Sequence, residues 1–185
     1  MKLIILDRDG VINEDSDDYV KSVDEWEPIP GSIEAIADLS KAGYTVAVAT
    51  NQSGISRGLF DEFELAAMHQ KMCSLVEEEG GQISGVFFCP HGPDDDCDCR
   101  KPKTGLIEQI ECEFGTTVEN LPFVGDSAKD LMCAKLAGCT PVLVLTGKGE
   151  ITIAESSASE LDGVSVFNNL KEYVDSLLQA NPPPC

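Results

Sequence analysis

The most informative stretch of this chain for its fold is Leu3-Ile4-Ile5-Leu6-Asp7-Arg8-Asp9-Gly10-Val11-Ile12-Asn13. A short, uniformly apolar run ends in two carboxylates that are separated by one residue and followed by a glycine. Such a run is typical of a strand that is buried on both faces of a parallel sheet. In open α/β sheets, ligands bind in the crevice outside the carboxyl ends of the strands. We therefore expect Asp7 and Asp9 to form the centre of a ligand site.

Outward from this stretch, apolar strand-like runs alternate with segments of helical spacing. The pattern predicts further strands at 44–49, 86–88, 121–124, 141–145 and 164–167, and helices at 31–42, 63–79, 106–114, 129–137 and 170–178. Residues 13–30 are polar and acidic, and we expect a loop or small flap near the site. The alternation implies right-handed βαβ units, and therefore a three-layer α/β fold with a mostly parallel sheet and helices on both faces.

Length and composition limit the classes of protein that the chain can be. At 185 residues without a linker or compositional break, residues 1–185 are predicted to form one domain with a Pro-rich tail at 181–185. The net charge of −20 disfavours nucleic acid and anionic membranes as partners. Because no run approaches the length of a membrane helix or a signal-peptide core, we expect a cytoplasmic protein, and we expect it to be monomeric.

Most of the eight cysteines should therefore be reduced. Four of them lie in apolar or helical contexts and are expected to be small buried hydrophobic side chains, namely Cys73, Cys112, Cys133 and Cys139. Cys185 ends the Pro-rich tail and is expected at a frayed terminus.

Four polar clusters follow four of the predicted strands. They are Asp7 with Asp9, Thr50 with Asn51, Arg100 with Lys101 after a loop, and Asp126 with Asp130. Carboxylates from neighbouring strands suit Mg²⁺, and a carboxylate can also act as a nucleophile. A hydroxyl and a lysine at the same place would stabilise a transferring phosphoryl group. The alternatives for the aspartate pair, a Ca²⁺ loop or a solvated turn, are disfavoured because Gly10-Val11-Ile12 offers no further oxygen side chain.

A second cluster of metal-binding residue types lies between 89 and 99. Cys89, His91, Cys97 and Cys99 supply the Cys₃His set of a closed structural zinc site. A loop of free thiols in this polar stretch is the less attractive alternative, since exposed thiols oxidise. All four ligands would be protein groups, so the zinc would hold the loop at about 89–103 and direct Arg100-Lys101 towards the site.

The ordered set Asp7-x-Asp9-Gly10-Val11, Thr50, Lys101 and Gly125-Asp126-x-x-x-Asp130 resembles the four motifs of the haloacid dehalogenase (HAD) superfamily of phosphatases. The resemblance implies that Asp7 is the nucleophile and Asp9 the general acid/base, while Thr50 and Lys101 hold the phosphoryl oxygens. It also implies that Asp7, the carbonyl of Asp9 and Asp126 bind Mg²⁺. Asp130 is interpreted as a first-turn helix charge or a supporting residue.

The zinc loop and the run Thr50-Asn51-Gln52-Ser53-Gly54-Ile55-x-Arg57-Gly58 narrow the resemblance to the heptose-bisphosphate phosphatase family. The related histidinol-phosphatases share the zinc loop and remain an alternative. The resemblance implies substrate contacts from Arg100 and from Asn51, Gln52 and Ser53. Arg57 is a candidate for a phosphate contact, with a surface arginine as the equal alternative. Roles for Asp18, Tyr19 and Ser127 stay open, since some relatives carry a lysine where this chain has Ser127.

Many HAD enzymes choose their substrate with a separate cap domain. Only about twenty residues separate the first motif from the next predicted helix, and the segment before Lys101 is mainly the zinc loop, so we expect a capless enzyme with an open site. The predicted activity is Mg²⁺-dependent hydrolysis of a small phosphorylated sugar through an aspartyl-phosphate, with the 7-phosphate of a heptose bisphosphate as the leading substrate and a role in surface-heptose synthesis. Another sugar-phosphate phosphatase, or a non-catalytic zinc-stabilised binding domain, is the alternative.

Overall fold

The computed structural model describes residues 1–181, so Cys185 and most of the Pro-rich tail lie outside it. Strands and helices alternate along the whole described chain. In order they are β1 (Leu3–Leu6), α1 (Ser32–Lys41), β2 (Thr45–Asn51), α2 (Glu62–Glu78), β3 (Gly85–Cys89), α3 (Gly105–Phe114), β4 (Pro122–Gly125), α4 (Ala128–Leu136), β5 (Thr140–Val144), α5 (Gly149–Glu155), β6 (Ser165–Phe167) and α6 (Leu170–Ala180).

The six strands form one sheet in the order β3-β2-β1-β4-β5-β6, and every neighbouring pair is parallel. The predicted α/β class is confirmed. The chain order reverses between β1 and β4, which pair through Ile5 with Phe123 and Leu6 with Val124. Ligands bind at such a switch point, outside the carboxyl ends of the strands. The next residues of these two strands lead directly to Asp7 and Asp126.

β1 lies at the centre of the core and has no exposed side chain. Its side chains alternate between two hydrophobic clusters, with Ile4 and Leu6 in one and Leu3 and Ile5 in the other. This alternation is the period of two that a strand imposes, and helices cover both faces. The uninterrupted apolar run of β1 therefore reflects a strand that is enclosed from both sides.

The structure corrects two sequence predictions. Residues 146–163 were predicted to contain no regular element, but they contain α5, a helix of seven residues. Its β-branched residues weaken the helical signal, while Thr152 stabilises it by donating a hydrogen bond of 2.8 Å to the carbonyl of Asp126. Cys112 was predicted to be buried, but it is exposed on α3, and Cys73 on α2 is only half-buried, whereas Cys133 and Cys139 are buried as expected.

The two connections where a cap domain could be inserted contain no additional helix within the described residues. Residues 7–31 form a loop that is held to the core by Val20, Trp26 and Ile29. Residues 90–104, between β3 and α3, form the predicted cysteine-rich loop. These connections leave the strand ends open, in agreement with a capless fold. None of the helices in residues 1–181 is both long enough and apolar enough to cross a bilayer.

Candidate active site

The predicted site residues meet at the carboxyl ends of three adjacent strands. Asp7 follows β1, Thr50 is the penultimate residue of β2, Asp126 follows β4, and Lys101 reaches the same place from the loop before α3. They line a cavity of about 500 Å³. Motifs that are up to about 120 residues apart in the chain therefore form one site because parallel strands end at the same edge of the sheet.

Lys101 and Asp7 form a buried ion pair at the base of the cavity. Lys101 Nζ lies 2.9 Å from Asp7 Oδ1 and 2.6 Å from Asp130 Oδ1, and it donates to the carbonyl of Ala49 at 2.8 Å. Only 2% of the lysine side chain is exposed. Although burial opposes its charge, the two carboxylates raise the pKa of Lys101, so its ammonium remains charged. The pairing fixes a positive group beside Asp7.

Asn51 holds the main chain of Lys101 in place. Its side-chain oxygen accepts from the amide of Lys101 at 3.0 Å, and its side-chain nitrogen donates to the carbonyl of Lys101 at 3.1 Å. Asn51 therefore connects the end of β2 to the loop that carries the lysine. This contact gives Asn51 a positioning role in addition to its predicted place in the cavity wall.

Asp9 is surrounded by hydrogen-bond donors. Its Oδ1 accepts from Arg8 Nη2 at 2.7 Å and from Asn13 Nδ2 at 2.9 Å, while its Oδ2 accepts from Gln52 Nε2 at 2.8 Å. Gln52 also donates to Thr50 Oγ1 at 2.9 Å. Burial opposes ionisation of Asp9, but Arg8 and these hydrogen bonds outweigh it and lower the pKa of the carboxyl.

The carboxylate of Asp126 is enclosed by two glycines. A Cβ at Gly10 would lie 2.0 Å from Asp126 Oδ2, and one at Gly147 would lie 2.2 Å from the same atom. Both glycines have positive φ, and the amide of Lys148 donates to Asp126 Oδ2 at 2.8 Å. The Asp7-x-Asp9-Gly10 motif and the loop after β5 thus meet on Asp126, which only glycine permits at these two positions.

Asp130 supports the site from behind. Its Oδ1 binds Lys101, and its Oδ2 accepts from both the amide and the hydroxyl of Ser127, at 3.1 Å and 2.7 Å. Ser127 in turn caps α4, where the two side chains form a capping box. With both oxygens engaged, Asp130 fits the predicted supporting role better than that of a metal ligand.

The donor set fits a hard divalent cation. Carboxylate oxygens of Asp7, Asp126 and Asp130 lie within 4.8 Å of one another. Burial first, and then the neighbouring Asp130, raise the pKa values of Asp7 and of Asp126, the latter to about 7. Within residues 1–181, Asp7 Oδ2, Asp126 Oδ1 and the carbonyl of Asp9 accept no hydrogen bond. Oxygen ligands without donors, in a site short of positive charge, are what Mg²⁺ requires.

The remaining predicted substrate residues differ in position. Ser53, Arg57, Arg100 and Tyr19 line the cavity, whereas Asp18 does not. Arg57 lies over the ring of Tyr19, with its guanidinium carbon 5.8 Å from the ring centroid. No ion pair within residues 1–181 engages Arg57 or Arg100, so neither guanidinium at the cavity rim has a carboxylate partner, although Arg100 Nη1 donates to the carbonyl of His91.

Sequence reasoning gave no individual role to four charged residues of the cavity wall, namely Asp15, Asp17, Lys129 and Lys148. Lys148 Nζ lies 3.3 Å from Asp15 Oδ2, whereas Lys129 has no ion-pair partner in the described chain. Lys129, Arg100 and Lys148 line the same cavity, and partial burial together with these two cations lowers the pKa of Lys129. A basic residue in the first turn of a helix after a motif aspartate was the available signal.

Cys89, His91, Cys97 and Cys99 form a second cluster beside the site. Their four ligand atoms lie within 4.8 Å of one another, and Cys89 Sγ is 3.8 Å from Cys97 Sγ and 3.1 Å from Cys99 Sγ. Tetrahedral zinc with Zn–S bonds near 2.3 Å separates its sulfur ligands by about 3.8 Å, which the first pair matches, whereas the second pair is closer together. Burial raises the pKa of the Cys89 thiol to about 12, and a bound cation would reverse this effect. The donor set fits zinc.

Arg100 and Lys101 follow this cluster directly in the chain. Arg100 Nη1 donates to the carbonyl of His91 at 3.1 Å, and Lys103 Nζ donates to the carbonyl of Cys97. These contacts tie Arg100 and Lys103, which flank the segment that carries Lys101, to the cysteine-rich loop.

The strand order, the strand-end motifs and the similarity to a solved HAD-like phosphatase define a phosphatase of the HAD superfamily. A solved structure described as a HAD-like phosphatase from Mesorhizobium loti has 30% sequence identity and a TM-score of 0.78, covering 97% of this chain and 85% of that one. The polynucleotide kinase 3 phosphatase family matches residues 2–154.

Closer relatives identify the family within this class. D-glycero-beta-D-manno-heptose-1,7-bisphosphate 7-phosphatases from Pseudomonas aeruginosa and Neisseria meningitidis are 55% and 51% identical, over 96% and 100% of this chain and 98% of each relative. The D,D-heptose 1,7-bisphosphate phosphatase of Bordetella bronchiseptica, solved with magnesium and phosphate, has 49% identity and a TM-score of 0.94 over 97% of this chain and 99% of its own. The chain belongs to the heptose-1,7-bisphosphate 7-phosphatase family.

Proposed function

We propose that this protein is a Mg²⁺-dependent phosphatase that removes the 7-phosphate of D-glycero-β-D-manno-heptose 1,7-bisphosphate. The product, a heptose 1-phosphate, would serve lipopolysaccharide or other surface-heptose synthesis. The observation that carries the proposal is the buried Asp7–Lys101 pair at the base of a cavity that Thr50 and Asp126 also line. The full-length similarity to heptose-bisphosphate phosphatases supports the choice of substrate.

The first chemical step is attack of an Asp7 carboxylate oxygen on phosphorus. Lys101, which is charged and fixed by Asp130 and Ala49, offsets the negative charge that develops on the phosphoryl oxygens. The hydroxyl of Thr50 lies at the end of the neighbouring strand β2, where it accepts a hydrogen bond from Gln52 Nε2. As the sugar oxygen leaves, Asp9 gives it a proton, and the phosphoryl group stays on Asp7 as an aspartyl-phosphate.

The second step is hydrolysis of this aspartyl-phosphate. Asp9, now ionised, takes a proton from a water molecule that attacks phosphorus, and Asp7 is regenerated with release of phosphate. The lowered pKa of Asp9 favours its ionised form and therefore its action as a base. The same side chain serves as acid and then as base because its carboxylate is held in one position by Arg8, Asn13 and Gln52.

Two metals complete the proposal. Mg²⁺ held by Asp7, Asp126 and the carbonyl of Asp9 would neutralise the phosphate charge at this acidic strand end. Zinc held by Cys89, His91, Cys97 and Cys99 would be structural, since no ligand position is left for substrate. Among the described residues, these four lie outside the wall of the active-site cavity.

Substrate recognition would come from the rim of the open site. Ser53, Arg57 and Arg100 line the cavity above Asp7, together with Tyr19 from the 7–31 loop. A bisphosphate carries a second anionic group, and the arginines without carboxylate partners are suited to bind it. Local cations, and not the net charge of −20, would determine binding, because salt screens distant carboxylates beyond about 8 Å. A monomeric, cytoplasmic enzyme of one domain is part of the same proposal.

A panel of phosphorylated substrates tests the proposal. Phosphate release is measured with heptose 1,7-bisphosphate, fructose 1,6-bisphosphate and histidinol phosphate, each with Mg²⁺ added and withheld. We expect the highest kcat/KM for the heptose bisphosphate, and ³¹P NMR should show loss of the 7-phosphate. A preference for histidinol phosphate would contradict the proposed substrate but would agree with the proposed phosphatase activity. No hydrolysis of any substrate would favour the non-catalytic binding domain.

A further inference from the structure

Arg8 is fully buried between the two aspartates of the first motif. Only 1% of its side chain is exposed, which is rare for arginine unless the guanidinium is paired. Its Nη2 and Nε donate to Asp9 Oδ1 at 2.7 Å and 3.2 Å. Its Nη1 lies 3.3 Å from His69 Nε2 on α2. The guanidinium of Arg8 therefore bridges the proposed acid/base and a histidine that lies 61 positions further along the chain.

The chemistry of the two groups fixes the direction of the Arg8–His69 hydrogen bond. A guanidinium has donors only, so His69 Nε2 must accept, and the imidazole must be neutral with its proton on Nδ1. Partial burial and the adjacent Arg8 lower the pKa of His69 to about 3, which maintains the neutral form at all physiological pH values.

The backbone that carries His69 is firmly anchored. α2 begins with a capping box between Asp61 and Glu64, and its Leu65, Met68 and Met72 side chains are buried in the core. The His69 ring packs near Phe88 of β3, with the ring centroids 6.1 Å apart. Packing of the buried face of α2 in the core therefore fixes the position of His69 Nε2, the acceptor for Arg8.

On the other side of Arg8, the carboxylate of Asp9 is held asymmetrically. Oδ1 is occupied by donors from Arg8 and Asn13, whereas Oδ2 accepts from Gln52 alone. The Asp9 side chain is 23% exposed and lines the active-site cavity. The oxygen that remains for proton transfer is therefore Oδ2, and its direction depends on how firmly Oδ1 is held.

We infer that His69 is a positioning residue for the general acid/base, acting through Arg8 to orient the carboxylate of Asp9. Without His69 Nε2, a guanidinium N–H would be buried without an acceptor, which is unfavourable. Arg8 would then move towards another acceptor or water, and Asp9 would lose its fixed direction. The inference rests on the proposed phosphatase function, because it assigns a task to the catalytic Asp9.

The dependence on leaving group separates this role from a purely structural one. A sugar alkoxide needs a proton from Asp9 in order to leave, whereas p-nitrophenolate leaves without one. The value of kcat/KM reports the steps through departure of the leaving group. A misplaced Asp9 should therefore lower kcat/KM for the sugar phosphate and leave that for p-nitrophenyl phosphate nearly unchanged.

The experiment compares full-length wild type with His69→Leu, His69→Met and His69→Gln, each with Mg²⁺. We expect His69→Leu and His69→Met to lower kcat/KM for heptose 1,7-bisphosphate by about tenfold or more, since small displacements of catalytic groups are costly. Their kcat/KM for p-nitrophenyl phosphate should stay within about twofold of wild type. His69→Gln, whose side-chain oxygen can accept from Arg8, should retain most of the activity towards the sugar.

Equal loss on both substrates, or failure of both apolar variants to fold, would overturn the inference in favour of a structural role. No loss on either substrate would also overturn it, because His69 would then not orient Asp9. A His69→Gln protein as impaired as His69→Leu would also overturn it. Failure of the proposed function is a separate result, because it would appear in the wild-type protein as absence of heptose-bisphosphate hydrolysis. If the wild type prefers another alkyl phosphate, the same comparison is made with that substrate.

Discussion

Gly10 and Gly147 leave just enough room for the carboxylate of Asp126. Both adopt positive φ, and a Cβ on either would overlap Asp126 Oδ2. Sequence reasoning identified Gly10 as part of the first motif but gave it no task. The structure assigns it one, because the contact joins residues that are more than 110 positions apart and no local pattern encodes it.

Gly10→Ala should displace Asp126 and weaken Mg²⁺ binding. We expect kcat/KM at limiting Mg²⁺ to fall by at least about tenfold, since changes in the residues that contact and orient a metal ligand have effects of this size. The measurement is a Mg²⁺ titration of phosphatase activity. Gly43→Ala is a matched control, because Gly43 has the same positive φ and a Cβ there would meet no atom within 4 Å. Equal Mg²⁺ dependence in both variants would contradict the role of the contact.

Asp126 also gives the stability of the Mg²⁺-free protein a defined pH dependence. Its pKa is raised from 3.8 to about 7 in the folded protein, mainly by burial and then by Asp130. Between about pH 4 and pH 7 the folded state keeps a proton that the unfolded chain has lost, so stability falls as pH rises through this range.

In Mg²⁺-free buffer, the melting temperature of the wild type should fall more steeply between pH 5 and pH 8 than that of Asp126→Asn. At neutral pH, the ionised Asp126 is expected to lower the free energy of unfolding of the wild type by on the order of a few kcal/mol. Thermal denaturation at a series of pH values measures it, and added Mg²⁺ should raise the wild-type melting temperature more at pH 8 than at pH 5. Parallel pH curves for the two proteins would contradict a raised pKa at Asp126.

At the scale of elements, the cysteine-rich loop is the part of the site that the sequence described best. Four residues within eleven positions predicted a Cys₃His cluster, and the structure places their ligand atoms within 4.8 Å of one another. Local spacing was sufficient here because all four residues come from the end of β3 and the loop that follows it. α5 was missed for the opposite reason, since its stability depends on a contact between Thr152 and Asp126.

Cys97→Ser should remove zinc and, with it, the placement of Arg100 and Lys101. We expect about one zinc per wild-type chain by elemental analysis, much less in Cys97→Ser, and activity reduced by about tenfold or more. Cys112→Ser is the control, because this exposed cysteine lies on α3 outside the cluster. Full activity of a zinc-free Cys97→Ser protein would contradict the proposed role of the loop.

At the scale of the whole molecule, the alternation of strands and helices predicted the parallel sheet, and strand-end motifs predicted where it would bind a ligand. The order of the elements in the chain did not predict which strands are neighbours in the sheet. The family resemblance predicted that Asp7 and Asp126 meet, and the assembled sheet gives the reason, since the switch point between β1 and β4 brings the two strand ends together. Lys129 had only the weak local signal of its place in the first turn of α4, and its neighbours in the cavity come from distant loops.

The concentration of cations at this cavity yields a prediction for Lys129. Lys129→Gln should raise KM for heptose 1,7-bisphosphate several-fold, with a smaller effect on heptose 7-phosphate, because it removes a charge near Arg100. Steady-state kinetics with both substrates measure the difference. Lys135→Gln on the same helix is the control, since its ammonium donates to the carbonyl of Glu160 outside the active-site cavity. Equal KM changes in the two variants would indicate a general charge effect.

Trapping of the covalent intermediate tests whether Asp7 takes the phosphoryl group. Asp9→Asn protein is incubated with Mg²⁺ and p-nitrophenyl phosphate, quenched in acid and analysed by peptide mass spectrometry. Since the variant lacks the base for hydrolysis, one added phosphoryl group should accumulate on the peptide that contains Asp7, and Asp7→Asn should abolish both the adduct and turnover. Release of p-nitrophenol without an adduct, or an adduct on another residue, would contradict the account.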